Sequence, residues 1–229
     1  MTRSKKEDFI MKGVAAIILA SMIIIPAVGR DVTMAQEQKS IQLTKPQIAG
    51  NPLMELLAKR SSSREFSPEP LPENILSNML WAAAGINRPD SGKRTAPTAM
   101  NKQEIDVYVA TGSGIYLYEA KSHSLKMISA GDLRGLTGGQ DYVKDAAVNL
   151  IYVADYSRMG SVPDQAKELY VAADTGFISE NVYLYCASTG LATVVRAYID
   201  KQALSKAMKL RADQKIILAQ SVGYPKRGR

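Results

Sequence analysis

DQAKELYVAADTGFISENVYLYCASTG, residues 164–190, carries the longest helical pattern in the chain. It reads as one helix from Asp164 to Thr189, stopped by Gly190, with Leu169, Ala173, Phe177, Val182, Leu184, Tyr185 and Ala187 spread over more than one face. A helix that is apolar nearly all round is buried, either in a core or against a second copy of the chain. Its tyrosines and Cys186 read as packing material.

Working outward from this helix, the upstream sequence alternates as strands do. Ile105, Val107 and Val109 mark one run, Ile115–Tyr118 a second, Leu125–Ile128 a third and Val148–Ala154 a buried fourth. Gly112-Ser113-Gly114 joins strand to strand, so it reads as a turn and not as a dinucleotide fingerprint. Further upstream, Asn51-Pro52 opens a helix carrying Leu53, Leu56 and Leu57, and a second helix follows Pro72 through Ile75, Met79, Leu80 and Trp81 to Gly85. Residues 86–103 read as a Pro/Gly/Thr-rich loop. Downstream of the long helix come a short strand at 191–195, a helix capped by Asp200 through Leu204 and Met208, and a last strand at 216–222. Helices before, between and after strands, without an internal repeat, predict an α+β domain over residues 51–229.

Composition narrows the function. The chain has 229 residues and a net charge of +7. Arg3, Lys5, Lys6 and Lys12 precede an apolar run from Val14 to Ile25 and the small residues Ala27 and Gly29, the layout of a secretory signal peptide. Twelve residues span about 18 Å as a helix, too short for a stable membrane crossing of ~30 Å. Residues 1–29 are therefore expected to be removed, after Gly29 or Ala35, giving an exported, periplasmic protein. Residues 30–50 read as a flexible tether. An uncleaved signal acting as a membrane tether is the competing reading. Basic and acidic residues are interspersed, which argues against a nucleic-acid surface. Cys186 and His123 are the only cysteine and histidine, leaving little material for a disulfide, a metal centre or a Ser-His-Asp triad. His123 lies in a polar turn and is expected to have a surface role. The reactive group of an enzyme so composed is expected to be borrowed.

Three segments carry the candidate chemistry. Arg60-Ser61-Ser62-Ser63-Arg64 offers guanidiniums and hydroxyls suited to phosphate. Pro97-Thr98-Ala99-Met100-Asn101-Lys102-Gln103 offers small residues and amides to a flat ligand. Gly190-Leu191-Ala192-Thr193, together with Lys226 and Arg227, forms the third. Read in order, these segments resemble the nitroreductase family of flavoproteins. Arg60, Ser62, Arg64 and Phe66 match its Arg-x-Ser-x-Arg-x-Phe opening, and Ala96–Gln103 match its Asn-bearing loop. Asn181 with Gly190-Leu191-Ala192 is similar to its Asn helix and Gly-Leu-Gly end, with alanine in place of the second glycine, and Gly223-Tyr224-Pro225 matches its closing motif. Trp81–Gly85 and the Tyr-rich hairpin at 115–118 resemble the branch related to thiazole- and oxazole-forming dehydrogenases.

The resemblance implies a mixed, mainly antiparallel sheet flanked by helices, FMN at a homodimer interface, and a ping-pong exchange of hydride with a small nitro, quinone or azoline-type substrate. Arg60, Ser61, Ser62 and Arg64 would then hold the phosphate end and the pyrimidine side of the ring. Pro97, Thr98, Ala99, Asn101 and Gln103 would approach from the partner subunit. Leu191, Ala192 and Thr193 would lie along the ring, and Lys226 or Arg227 would complete the phosphate site. Arg64, then Lys102, is the expected positive charge near the ring's N1/O2 edge. No protein nucleophile is expected, and the physiological electron donor stays open, with NAD(P)H a donor in vitro. Two departures stand out: the family's frequent Gln-Pro-Trp is here Gln103-Glu104-Ile105, and the chain ends soon after Gly-Tyr-Pro, so dimerisation should rest on the long helix. The alternative is a catalytically idle flavin- or ligand-binding protein on the same scaffold.

Overall fold

A computed structural model describes residues 40–45 and 52–226. The signal peptide, Asn51 and Arg227 lie outside the described residues. Nine strands and four α-helices follow in chain order. They are β1 (Ser40–Gln42), α1 (Leu53–Lys59), α2 (Glu73–Ala84), β2 (Ile86–Arg88), β3 (Lys93–Arg94), β4 (Ile105–Ala110), β5 (Gly114–Glu119), β6 (Ser124–Ala130), β7 (Val148–Asp155), α3 (Asp164–Thr189), β8 (Ala192–Arg196), α4 (Lys201–Ala207) and β9 (Gln214–Gly223). Seven strands form one sheet in the order β1-β6-β5-β4-β7-β9-β8, and β2-β3 form a separate pair. Every strand pairing among the described residues is antiparallel, in keeping with the mainly antiparallel sheet expected.

The central strands β4 and β7 are covered on both faces, as period-two alternation requires. Val107, Val109, Leu150, Tyr152 and Ala154 pack with α2 and α3, while Tyr108, Ala110, Ile151 and Val153 pack with Leu204 and Met208 of the α4 region. α3 buries Val171, Ile178, Val182 and Cys186 on the first side. Gly190 ends α3 in the left-handed region, at φ 70°, which a glycine adopts without a Cβ clash. A buried polar chain ties α3 to the sheet. The Tyr152 hydroxyl donates to Gln220 Oε1 at 2.5 Å; Gln220 Nε2 donates to Thr193 Oγ1 at 3.0 Å and to the Ser179 carbonyl at 3.4 Å.

Several expectations are corrected. The tether is not structureless throughout: Ser40–Gln42 add a strand to the sheet edge beside β6, and Leu43 is buried. The residue capping α1 is Pro52, without a side-chain hydrogen bond, and Asn51 lies outside the described residues. Residues 86–103 contain the short β2-β3 pair, whose strands of three and two residues are too brief for a periodicity to show. Gly85 is extended instead of left-handed; a Cβ there would come within 2.4 Å of Trp81 Cδ1, so the glycine serves tryptophan packing. α3 is not buried all round, since Leu169 and Phe177 are 66% and 45% exposed.

His123 is a fastener more than a surface residue. Its Nδ1 accepts from the Tyr118 hydroxyl at 2.9 Å, while its Nε2 lies 2.9 Å from both the Thr44 carbonyl and Ser77 Oγ. A carbonyl can only accept, so Nε2 carries the proton and the ring is neutral. Burial holds its pKa below the usual histidine value, with the bond to Thr44 opposing. The folded form thus disfavours the imidazolium, and stability present above about pH 6.5 declines as pH falls below it. His123→Ala is expected to cost about 1–2 kcal/mol at pH 8 in urea unfolding. The gap between variant and parent should narrow below pH 6.5; a gap that widens there contradicts the assignment.

Candidate functional site

The first segment lies across the C-terminal end of α3. Arg60 ends α1 and places its guanidinium 5.4 Å from the centre of the Tyr183 ring, a cation–π distance. Ser62 Oγ lies 2.9 Å from the Tyr183 hydroxyl, and that hydroxyl accepts from Val195 N–H at 3.0 Å. Tyr183 has one proton to give, and Val195 can only donate. With the Tyr183 proton directed to Ser62 Oγ, the Ser62 proton is left to donate outward. Ser61 and Arg64 are exposed. Ser63 N–H donates to the Thr193 carbonyl at 2.9 Å, which stitches the segment to β8.

The third segment meets the first. Ser67 N–H donates to the Tyr224 carbonyl at 2.8 Å, Lys226 N–H to the Glu65 carbonyl at 3.3 Å, and Phe66 bridges Pro225. Phe66 is buried with Ala146, Ala192 and Val194. A recess of about 680 Å³ opens here, lined by Phe66, Ser67, Gly190, Tyr224 and Lys226 among others. Leu191, Ala192 and Thr193 are buried in the fold. The Thr193 hydroxyl is committed within the sheet, donating to the Ser221 carbonyl at 2.9 Å. What this segment offers outward is backbone, not side chain.

The second segment stands apart. Ala99 N–H donates to Asp174 Oδ2 at 2.8 Å, midway along α3. Asp174 and Tyr183 are nine residues apart, about 14 Å along the axis and two and a half turns round it. One copy of the chain therefore brings the first and third segments together but not the second. The loop is self-tied: Gln103 N–H donates to Thr98 Oγ1, and the Gln103 side chain donates to the Gly92 carbonyl and Asn101 Oδ1 while accepting from Arg94 Nε. Gln103 thus shapes the loop, and Pro97, Met100 and Asn101 are the exposed members. A second recess, about 900 Å³, lies beyond it and includes Arg94, Asn101, Lys102, Asp106 and Arg158. Burial lowers the Arg94 pKa, with Asp106 opposing.

Tyr183 and Asp174 were not singled out in the sequence. Asp174 had a signal, an acid among apolar helix positions; Tyr183 had none that separates it from packing tyrosines. Cys186 is buried, and burial pushes its thiol up to about 12, which makes it inert at neutral pH. No group of three or more metal-ligating side chains occurs among the described residues.

The fit to a phosphate-bearing, carbonyl-rich cofactor is good on chemical grounds. The site presents cations and outward donors, namely Arg60, Arg64, Lys226 and the Ser62 proton, and no carboxylate pairs with Arg60 or Arg64 among the described residues.

Comparison with known proteins agrees with this geometry. The Nitroreductase family model matches residues 57–224. A Methanocaldococcus jannaschii protein with a provisional nitroreductase name is 31% identical over 174 residues, 71% of this chain and 87% of its own length. A Ralstonia eutropha JMP134 crystal structure, also provisionally named a nitroreductase, matches with a TM-score of 0.80 and 43% identity, covering 83% of this chain and 91% of that one. The Vibrio harveyi NADPH:FMN oxidoreductase, solved with NAD+, shares the fold at a TM-score of 0.58 and 20% identity, over 77% of this chain and 70% of its own. With the Arg-x-Ser-x-Arg-x-Phe segment docked on β8 and the fold in common, the chain belongs to the nitroreductase family of oxidoreductases.

Proposed function

We propose that this chain is an exported FMN-dependent oxidoreductase that works as a homodimer, exchanging hydride with a small organic substrate of the nitro, quinone or azoline type. The observation that carries the reading is the carboxylate-free cradle formed by Arg60, Ser62 and Tyr183 against β8. Family membership supports the flavin, and the Vibrio relative is named for FMN.

Bound FMN would supply hydride chemistry at its N5 atom. The chain's own residues bind and orient. Tyr183 fixes Ser62 so that its proton points to an acceptor, Arg60 is held by the Tyr183 ring, and Arg64 and Lys226 add positive charge for a phosphate. The shortage of histidine and free thiol is no obstacle, because no acid–base side chain is asked for. Arg60→Ala is expected to weaken FMN binding at least tenfold, about 1.4 kcal/mol, in a fluorescence titration. Tyr183→Phe should weaken it similarly by freeing Ser62. A purified parent protein that is colourless and takes up no added FMN would leave the idle binding protein as the better reading.

Dimerisation through α3 is supported by its uncovered face. Leu169 and Phe177 project there, and the exposed Leu53, Met54 and Leu57 lie on α1, which packs against α3. Such a cluster on a monomer marks an interface. A second copy docked on α3 would also bring its 97–101 loop to the site that one chain leaves incomplete. Phe177→Glu is expected to give a monomer in sedimentation velocity, with FMN affinity lost in parallel. A dimer that survives this change argues for a different interface.

A further inference from the structure

Glu104 is the one residue of the Gln103-Glu104-Ile105 stretch whose chemistry the fold does not explain. Its side chain is wholly buried, and neither carboxyl oxygen meets a hydrogen-bond donor among the described residues. An ionised carboxylate left that way is costly. The group it does meet is another acid, Asp174 of α3, itself 2% exposed. Two carboxylates in contact cannot both be ionised cheaply, whereas one proton between them satisfies both. Asp174 is also the acceptor for Ala99 N–H at 2.8 Å. The shared proton therefore sits one bond away from the 97–103 loop.

That loop needs an anchor. Met100, Asn101 and Gln103 all have φ near +50°, a conformation L side chains rarely adopt, and Met100 is 70% exposed. It is held in place, not resting there.

We propose that Glu104 is a positioning residue: protonated, it donates to Asp174 and clamps the 97–103 loop to α3 through the Ala99 amide, and ionised, it repels Asp174 and loosens that loop. The clamp is argued from the burial of both acids and the Asp174–Ala99 bond; its consequence for cofactor binding rests on the function proposed above.

The surroundings fix the direction. Burial is the largest influence on Glu104; the residue's own backbone amide opposes it and Asp174 adds to it, the balance raising its pKa from 4.5 to about 7. Arg158, from the turn after β7, opposes, but its guanidinium is already engaged by Asp106 at 2.8 Å, the Gln103 carbonyl at 2.8 Å and Asp155 at 3.5 Å. Tyr156 is the remaining titratable neighbour; burial and Glu168 raise its phenol to about 12, so it stays neutral. The clamp is closed below about pH 7 and opens as pH rises through it.

The test is amide hydrogen exchange of peptides spanning 96–104 in the full chain between pH 5.5 and 8.5, corrected for the intrinsic pH dependence of exchange. Protection in the parent is expected to fall about tenfold above pH 7. In Glu104→Gln the amide donates to Asp174 at every pH, so protection should stay high and flat. Parent protection that does not change with pH, or a Glu104→Gln variant that follows the parent curve, overturns the clamp. FMN titrations run alongside separate the two layers. Affinity that weakens above pH 7 in the parent but not in Glu104→Gln supports loop positioning at the site. Affinity flat in both, beside pH-dependent exchange, upholds the clamp and overturns the loop's part in cofactor binding.

Discussion

The docking of α3 across the sheet is the constraint on which the rest depends. Val171, Ile178, Val182 and Cys186 bury the helix on β4 and β7, and that burial carries two polar side chains into places they could not hold alone. Asp174 reaches the 97–103 loop, and Tyr183 reaches Ser62 and the backbone of β8. Burying several aliphatic side chains is worth ~1.5–3 kcal/mol each, against about 1 kcal/mol net for one hydrogen bond. The apolar face therefore sets the helix position, and the polar contacts use it.

The polar chain through Tyr152, Gln220 and Thr193 shows how β8 is kept in register with α3. All three residues are buried, so an unmade bond there would leave a desolvated group without a partner. Arg196 extends the same logic to the end of β8. It is buried without a carboxylate among its hydrogen-bond partners and relies on Asn149, Ser221 and Thr137, and burial lowers its pKa to about 10. A one-residue slip of β8 would turn Thr193 and Arg196 each to the face opposite its own, and Ser63 would lose the carbonyl that seats it. The position of the Arg60–Arg64 segment is thus inherited from sheet pairing, not from the segment's own conformation.

Long patterned elements were legible in the sequence. The 164–189 helix with its Gly190 stop, the alternation along β4 and β7, and the Asp200 cap all follow from local rules, and the structure has them at nearly the expected bounds. What escaped is short or non-local. β1 has three residues and exists only because the β6 edge is there to pair with. The roles of His123, Tyr183 and Glu104 depend on partners far along the chain, Ser77 lying 46 and Ser62 121 positions away, and no local window contains those pairs. In the candidate site the cationic first segment was readable from residue type. The sequence did not reveal that Thr193 and Gln103 spend their side chains internally.

This division bears on how the two halves of the site relate. The Arg60–Ser62 cradle and the 97–101 loop are attached to one helix at points two and a half turns apart, so no side-chain rotation within a copy can close the distance. The same helix leaves Leu169 and Phe177 uncovered. If the chain pairs as proposed, a flat ligand could meet the loop of a second copy, and the uncovered stripe of α3 is a surface where a second copy would gain apolar burial. Loop geometry would then count twice: Asp174 holds the loop within its own chain, and the interface delivers it to the neighbour. On that argument the rigidity of the Ala99 anchor belongs to the partner's site as much as to the chain that makes it.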